Sequence, residues 1–427
     1  MVKVGLLGLG TVGSGVYNII INKRDETSRK LGEEIKIQKI LVKNVEKRRK
    51  YEIDKSLIAK NFEEIINDPE IQIVVELIGG ETPAYDYIKR AIQNHKNIVT
   101  ANKLVIAKHG KEILKLAQDY NVKIYYEGSV AGGIPVIKTL REALVANTID
   151  RVYGILNGTT NYILTQMSEK NMGFEEALKE AQKLGYAESD PYFDISGLDS
   201  AYKISILSHL AYETFIDVDS LYVEGIDKIS KEDIGIADEL GYVIKLLAIG
   251  KRYSNDSLDI RVHPTFVPKT HPLSKISGVY NVVQIHGDAV GDVMLYGQGA
   301  GEMPTASAVV ADIVEVAKSI KYQIKSDNFI HEVNGQNLMN IDEIENSFYI
   351  RLRVNDKPGV FAKIATAFGD NKVSIASVIQ KHRLTPVVPI FLLTHPVAER
   401  YMKKAVETLK TLEDVIEINN IIRVEGF

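Results

Sequence analysis

The chain contains no cysteine. That removes disulfides, thiolate zinc sites and cysteine nucleophiles together, and it fits a reducing compartment. No run of about 18 apolar residues occurs, so no membrane span is expected. Charge of one sign is also scarce: the formal net charge is −4 over 427 residues. That gives no electrostatic case for nucleic acid or an anionic membrane. His209, His263, His271 and His286 lack the spacing of metal ligands. The opening MVKVGLLGLG is short, has no small-residue cleavage site and runs straight into glycines, so it reads as a first strand and not as a signal peptide. A cytoplasmic location is the matching expectation. What remains is an ordinary globular composition, 45% apolar and 25% charged, long enough for roughly two to three domains.

The first motif is Gly8-Leu9-Gly10-Thr11-Val12-Gly13, placed after the apolar run Lys3–Leu7 and before a helix expected from Ser14 to about Ile21. In that strand–turn–helix setting the first glycine permits a tight turn, the second lets a pyrophosphate approach the backbone, and the third lets helix and strand pack closely. The second strand, Ile35–Val42, ends in Lys43 and Asn44 with Lys47, Arg48, Arg49 and Lys50 beyond. An acid for the adenosine ribose is missing and cations are near. The pattern suits a 2′-phosphate, hence NADP or both cofactors, or else it is a solvated basic turn.

Two further strands, Ile71–Ile78 and Asn97–Thr100, end in Gly79-Gly80 and Ala101-Asn102-Lys103. Ligands of open parallel sheets sit beyond such carboxyl ends. Lys103 is therefore either a site residue beside nicotinamide and substrate or a surface lysine at a helix start. After the strand Lys123–Tyr126 comes Glu127-Gly128-Ser129-Val130-Ala131-Gly132-Gly133-Ile134-Pro135, either an oxygen-built monovalent-cation site or an interdomain hinge.

The middle of the chain carries the polar loop Asn157–Asn161, an amphipathic helix within Gly173–Leu184, and the segment GYAESDPYFDISGLDSAYK from Gly185 to Lys203. Glu188, Asp190 and Asp194 fall in a loop of Gly, Ser and Pro; a helix follows, which Ser196 or Asp199 is expected to cap. Asp199 and Lys203 are four apart and share a helix face. A lysine among carboxylates at a helix start can pass a proton while the acids hold an amino group. The alternative is a surface loop with an ordinary ion-paired helix. Strands are expected at Arg151–Leu156, Leu258–Val267 and Val279–Ile285. The loop Gly297–Gly301 opens a helix to about Lys318, which either meets the other side of a dinucleotide and packs back on the first domain or is a plain helix–loop connection. Ile320–Asn346 is more polar and reads as a linker. Beyond it, strand, helix, two strands, helix and strand (Phe348 to Val424) give a ferredoxin-like βαββαβ unit.

In GLGTVG, TANK, EGSVAGGIP, NGTTNYI, GYAESDPYFDISGLDSAYK, YGQGAGEMPTASAV and DKPGVFAKIA, met in this order, the chain resembles homoserine dehydrogenase with a C-terminal ACT domain. The resemblance implies an α/β protein in three parts. These are a Rossmann-type NAD(P) domain (1–134 with about 303–322), an α+β catalytic and dimerisation domain (135–302), and an ACT regulatory domain (347–427) after a linker (323–346). It implies interconversion of L-homoserine and L-aspartate 4-semialdehyde, serving threonine, methionine and isoleucine synthesis. Lys203 corresponds to the proton donor and Lys103 to a second lysine near the reacting carbon. Glu188, Asp194 and Asp199 correspond to holders of the substrate amino group, and Gly158 and Thr159 to contacts of its carboxylate. Gly8 to Gly13, Lys43, Ile78, Gly79, Thr100, Lys103 and Gly301 fall at cofactor positions, and Glu127, Val130, Gly132 and Ile134 at a sodium site made mainly of carbonyls. The ACT unit implies a homo-oligomer, dimer or tetramer, and L-threonine as inhibitor near Asn371, Ile375 and Ser377, unless the unit only dimerises. Rival readings are another semialdehyde or amino-acid reductase, and a non-catalytic amino-acid sensor that binds a nucleotide.

Overall fold

The computed structural model describes residues 1–324, 328, 337–381 and 385–427. Residues 325–327 and 329–336, which fall in the expected linker, lie outside the described residues. The chain forms two compact units. The first comprises Met1–Val152, Tyr202–Ser220 and Asn281–Asn334, and the second Tyr153–Ala201, Leu221–Tyr280 and Gly335–Phe427.

The first unit is built on a six-stranded parallel sheet: β1 (Val2–Leu7), β2 (Ile35–Leu41), β3 (Ile58–Ala59), β4 (Ile71–Glu76), β5 (Asn97–Thr100) and β6 (Ile124–Tyr125). Their order is β3-β2-β1-β4-β5-β6, the doubly wound arrangement whose order reverses at β1 and β4. The inner strands β1, β4 and β5 are mostly buried, in keeping with their largely apolar runs, whereas β2 leaves Lys36 exposed. Val4, Leu6, Ile73 and Val75 pack with Val16 and Ile20 of the helix Thr11–Asn22 and with Val309 and Ile313 of the helix Glu302–Lys321. That late helix lies so close to the first that a Cβ on Gly15 would stand 2.9 Å from the Ala306 side chain and from the Glu302 carbonyl. The helix Glu302–Lys321 thus packs beside the helix Thr11–Asn22 against the parallel sheet.

In the second unit Tyr242–Arg252 pairs antiparallel with Leu258–Pro268, and the latter runs parallel to Val415–Val424 at Thr265–Arg423 and Phe266–Val424. Glu345–Asn355 lies antiparallel between Val415–Val424 and Val387–Thr394, and Ile375–Gln380 closes that edge. Helices Val360–Asp370 and Glu399–Lys410 cover one face, burying Phe348, Ile350, Phe368, Ile390, Met402 and Leu409. This is the expected βαββαβ unit, and it is joined by main-chain bonds to the strand Leu258–Pro268. The join is polar as well. Glu425 accepts from Lys251 Nζ at 2.5 Å and from the Tyr153 hydroxyl at 3.2 Å, and buried Arg351 donates to buried Asp233 at 2.9 Å.

The strand Tyr242–Arg252 was not expected, because its burial across Ile244–Gly250 leaves no alternation to detect. The strand Gly291–Gln298 was not expected either, and it takes in Gly297 and Gln298 of the expected loop.

Candidate functional site

The glycine loop follows from close approaches. Gly8 has φ +96°, and a Cβ there would stand 2.6 Å from the Leu77 carbonyl oxygen. A Cβ on Gly13 would stand 2.3 Å from the Gly8 oxygen, whereas one on Gly10 would meet nothing within 4 Å. Gly8 and Gly13 thus answer to packing, and Gly10 faces open space. The helix Thr11–Asn22 begins at Gly10 with no side-chain cap and no acid in its first turn. Its free N–H groups and dipole suit an anion, so the donors present fit a dinucleotide pyrophosphate. Leu9 is buried under the turn, Val12 is half-buried, and Gly10 and Thr11 are exposed.

The neighbouring turns are organised by a residue that sequence reasoning missed. Glu76, fully buried at the end of β4, accepts the N–H of Ile78 at 2.7 Å and of Gly79 at 3.3 Å through Oε1. Its Oε2 accepts the Thr100 hydroxyl at 2.7 Å. Asn102 donates to the Gly80 carbonyl at 2.7 Å and caps the helix Lys103–Asp119. One carboxyl therefore ties together the ends of β4 and β5. Burial, above all, raises the pKa of Glu76 against its hydrogen bonds. Ile78 and Gly79 are exposed at the tip, and Lys103 stands half-buried at the start of its helix. The side chain of Thr100 is committed to Glu76, leaving its main chain as the available contact. The only signal in sequence was an acid closing a largely apolar strand.

Past β2, Lys43 and Asn44 are exposed. Arg49 binds the carbonyls of Asn44 at 2.7 Å and Lys47 at 2.9 Å, and Lys50 pairs with Glu302 at 3.1 Å. Two of the four cations beyond Asn44 thus close the turn. Lys43, Lys47 and Arg48 make no ion pair among the described residues.

The loop from Glu127 to Pro135 is pinned to 298–304. Gly132, at φ +51°, lies where a Cβ would be 2.6 Å from the Gly299 carbonyl, and Gly133 N–H binds the Gln298 oxygen at 3.1 Å. Gly301, at φ +119°, starts the helix Glu302–Lys321. The buried carboxyl of Glu127 accepts the N–H of Ile137 at 2.8 Å and Lys138 at 2.7 Å, while its own N–H binds Asp312 at 2.8 Å. Burial raises the pKa of both acids, that of Asp312 strongly, with Glu127 adding to it. The carbonyls of Val130 and Gly132 accept no hydrogen bond among the described residues, whereas that of Ile134 accepts from Val136 at 2.8 Å.

The strand Ile149–Ile155 leads into Asn157, which caps the helix Gly158–Glu169 by accepting the Thr160 N–H at 2.8 Å. The N–H groups of Gly158 and Thr159 find no acceptor among the described residues. The Thr159 hydroxyl donates to the Tyr186 carbonyl at 2.6 Å, so Thr159 offers its main chain. Asn157 Nδ2 donates to Asp194 at 2.7 Å and to Asp199 at 2.8 Å, bringing both acids to this helix start. Glu188 is exposed, its carbonyl bound by Gln182 at 3.1 Å.

The helix Leu198–Tyr212 follows Gly197, at φ +87°; neither Ser196 nor Asp199 occupies the cap position. The reason is that glycine alone takes that backbone conformation cheaply, which moves the start past Ser196 and puts Asp199 inside the first turn. Asp199 and Lys203 do share this helix, and both are buried. Lys203 and Lys103 both belong to the first compact unit, and Gly158, Thr159, Glu188, Asp194 and Asp199 to the second. In the βαββαβ portion, Asn371 donates to the Ala367 carbonyl at 2.8 Å and the Thr408 hydroxyl at 3.0 Å, and Ile375 and Ser377 lie half-buried on the edge strand.

Family models match three stretches: "Homoserine dehydrogenase, NAD binding domain" over 8–127, "Homoserine dehydrogenase" over 135–314 and "ACT domain" over 348–414. Homoserine dehydrogenase of Neisseria gonorrhoeae is 42% identical over 431 residues, covering 100% of this chain and 99% of that one. The Bacillus subtilis enzyme is 39% identical, covering 100% and 98%. A crystal structure of a homoserine dehydrogenase from Thiobacillus denitrificans superposes with TM-score 0.93 at 40% identity, covering 100% of this chain and 98% of that one. With an NAD-binding domain, a homoserine dehydrogenase domain and an ACT domain in sequence, the chain belongs to the homoserine dehydrogenase family.

Proposed function

We propose that the protein interconverts L-homoserine and L-aspartate 4-semialdehyde with a nicotinamide dinucleotide, in the supply of threonine, methionine and isoleucine. The observation that carries this is the start of the helix Gly158–Glu169. Two open N–H groups at a positive helix end suit an α-carboxylate, and the adjoining pair Asp194 and Asp199, held by one amide, suits an α-ammonium. A zwitterionic amino acid matches both. Glu188 adds a third acid from the same segment. The dinucleotide, bound at Gly8–Gly13, Ile78, Gly79, Thr100 and Gly301, supplies or takes the hydride. Lys203 holds the proton exchanged at the substrate oxygen, and Lys103 stabilises charge beside the reacting carbon.

NADP is favoured over NAD, because Lys43, Lys47 and Arg48 make no ion pair among the described residues and the end of the second strand lacks a ribose-binding acid. A related archaeal homoserine dehydrogenase, 27% identical over 77% of this chain, is described in complex with NADPH. Sodium is proposed at Glu127, Val130, Gly132 and Ile134. Oxygens are the right donors for such an ion, and the carbonyls of Val130 and Gly132 accept no hydrogen bond among the described residues. The three-part division into 1–134 with 303–322, 135–302 and 347–427 is the working domain scheme. L-Threonine is the proposed inhibitor, acting near Asn371, Ile375 and Ser377.

The direct test mixes purified protein with L-homoserine and NADP⁺ or NAD⁺ and follows reduction of the nicotinamide. No reduction with either cofactor removes this reading. Titrating the same reaction with L-threonine tests the regulatory part, and a flat response removes that part alone.

A further inference from the structure

The helix start Asn157–Asn161 contributes more than two main-chain donors. We propose that Asn157 is a positioning residue that holds Asp194 and Asp199 together as one receptor for the substrate's ammonium group; this rests on the homoserine reading above. The side chain has three tasks, and its orientation is fixed by them. Oδ1 accepts the Thr160 N–H at 2.8 Å and so caps the helix. Nδ2 therefore faces the acids, which can only accept, and reaches Asp194 at 2.7 Å and Asp199 at 2.8 Å. Carboxylates brought together repel each other when ionised, and an amide that offers one N–H to each draws both to one place.

The position is also stiff. Asn157 is buried, with 5% of its surface exposed, and Asp199 is buried with 2%. A Cβ on the next residue, Gly158, would stand 2.7 Å from the Val279 carbonyl oxygen, so that segment has no slack. Further along the same helix start, Asn161 donates to the carbonyls of Gly278 at 3.0 Å and Tyr280 at 3.2 Å, and accepts from Lys245 at 3.1 Å. The acids themselves sit on different elements. Asp194 is in the single turn Tyr192–Ile195 and Asp199 in the first turn of Leu198–Tyr212, with Gly197 at φ +87° between them. A bridge from a third element fixes their separation.

The test separates bridging from capping. Asn157→Ser keeps an oxygen that caps a helix well but has no pair of donors. Its expected KM for L-homoserine rises about ten- to hundredfold, the scale of hydrogen bonds to charged groups. Its KM for the dinucleotide stays within about twofold, which reports an intact fold. The discriminating measurement is competitive inhibition by 4-hydroxybutanoate, which is homoserine without its amino group. Its inhibition constant is expected to be the same in parent and variant, because the lost receptor binds only the ammonium. Asn157→Asp, which keeps the cap and the volume, should show the same selective loss and serves if the serine variant folds poorly. Equal weakening of homoserine and 4-hydroxybutanoate, or no change in either, overturns the proposal. A parent enzyme that does not oxidise homoserine at all overturns the underlying reading, an outcome plainly different from either.

Discussion

Removing the Glu76 carboxyl should loosen two cofactor-side turns at once. In Glu76→Ala the Ile78 N–H loses a 2.7 Å acceptor inside the protein, the Gly79 N–H loses a longer one at 3.3 Å, and the Thr100 hydroxyl loses its partner at 2.7 Å. A buried donor left without a partner costs about 1–3 kcal/mol. The Thr100 hydroxyl is buried and bears most of that, while the Ile78 and Gly79 N–H groups stand at an exposed tip where water replaces part of the loss. About 2–3 kcal/mol is the expected loss, a large part of the roughly 5–15 kcal/mol that holds a domain folded. Glu76→Gln keeps the Oε1 acceptor and should lose about 1 kcal/mol or less.

The pH dependence has a defined sign. Burial raises the folded-state pKa of Glu76, so the native state keeps a proton that the unfolded chain has released. The contribution of Glu76 to stability is therefore present below the unfolded carboxyl pKa and is lost as pH rises through the folded value. The glutamine variant lacks that loss, so the parent's advantage over it should shrink with rising pH. Urea unfolding of parent, Glu76→Gln and Glu76→Ala across acid to neutral pH measures all three, with dinucleotide KM as the second readout. An alanine variant within about 1 kcal/mol of the parent, or a glutamine variant as damaged as alanine, refutes the clamp.

Gly10→Ala and Gly13→Ala should part company. The first meets no protein atom within 4 Å and should fold normally but raise dinucleotide KM, while the second meets the Gly8 oxygen at 2.3 Å and should lose stability, both read by thermal unfolding and KM. Lys203→Ala should lower turnover by about 10²–10⁴-fold with dinucleotide affinity kept; unchanged turnover removes its proton role. Burial of the Lys245 ammonium pushes its pKa down to about 8 from 10.5. The native state thus loses that proton before the unfolded chain does, and stability should rise between about pH 8 and 10.5, a rise absent from Lys245→Met in urea unfolding. A chain ended near Asp342 would strip the partner strand from Leu258–Pro268 and leave Asp233 without Arg351, so it should be unstable in urea compared with the full chain.

Local rules carried much of the reading. The glycine loop, the strand Asn97–Thr100 and the helix within Gly173–Leu184 are short-range statements: a turn that only glycine takes, an apolar run, a 3.6-residue period. The βαββαβ order was legible for the same reason, since strands Val387–Thr394 and Val415–Val424 have bounds set by turns in the adjacent sequence. Asn157 and Glu76 were not legible as organisers. Each acts on partners 24 to 42 residues away, at Thr100, Asp194 and Asp199, and periodicity says nothing of such pairings.

The start of the helix Leu198–Tyr212 shows the same division. The sequence put an acid and a lysine four apart on one helix, and that survived. Only the folded chain decided that the helix begins after Gly197, that an amide ties Asp199 to Asp194, and that both Asp199 and Lys203 are buried. Residue order sets what each short stretch prefers, because turns, caps and periods involve neighbours. Which polar groups are taken from water, and who then satisfies them, depends on strands and helices meeting from distant parts of the chain, and that is settled only when the whole has packed.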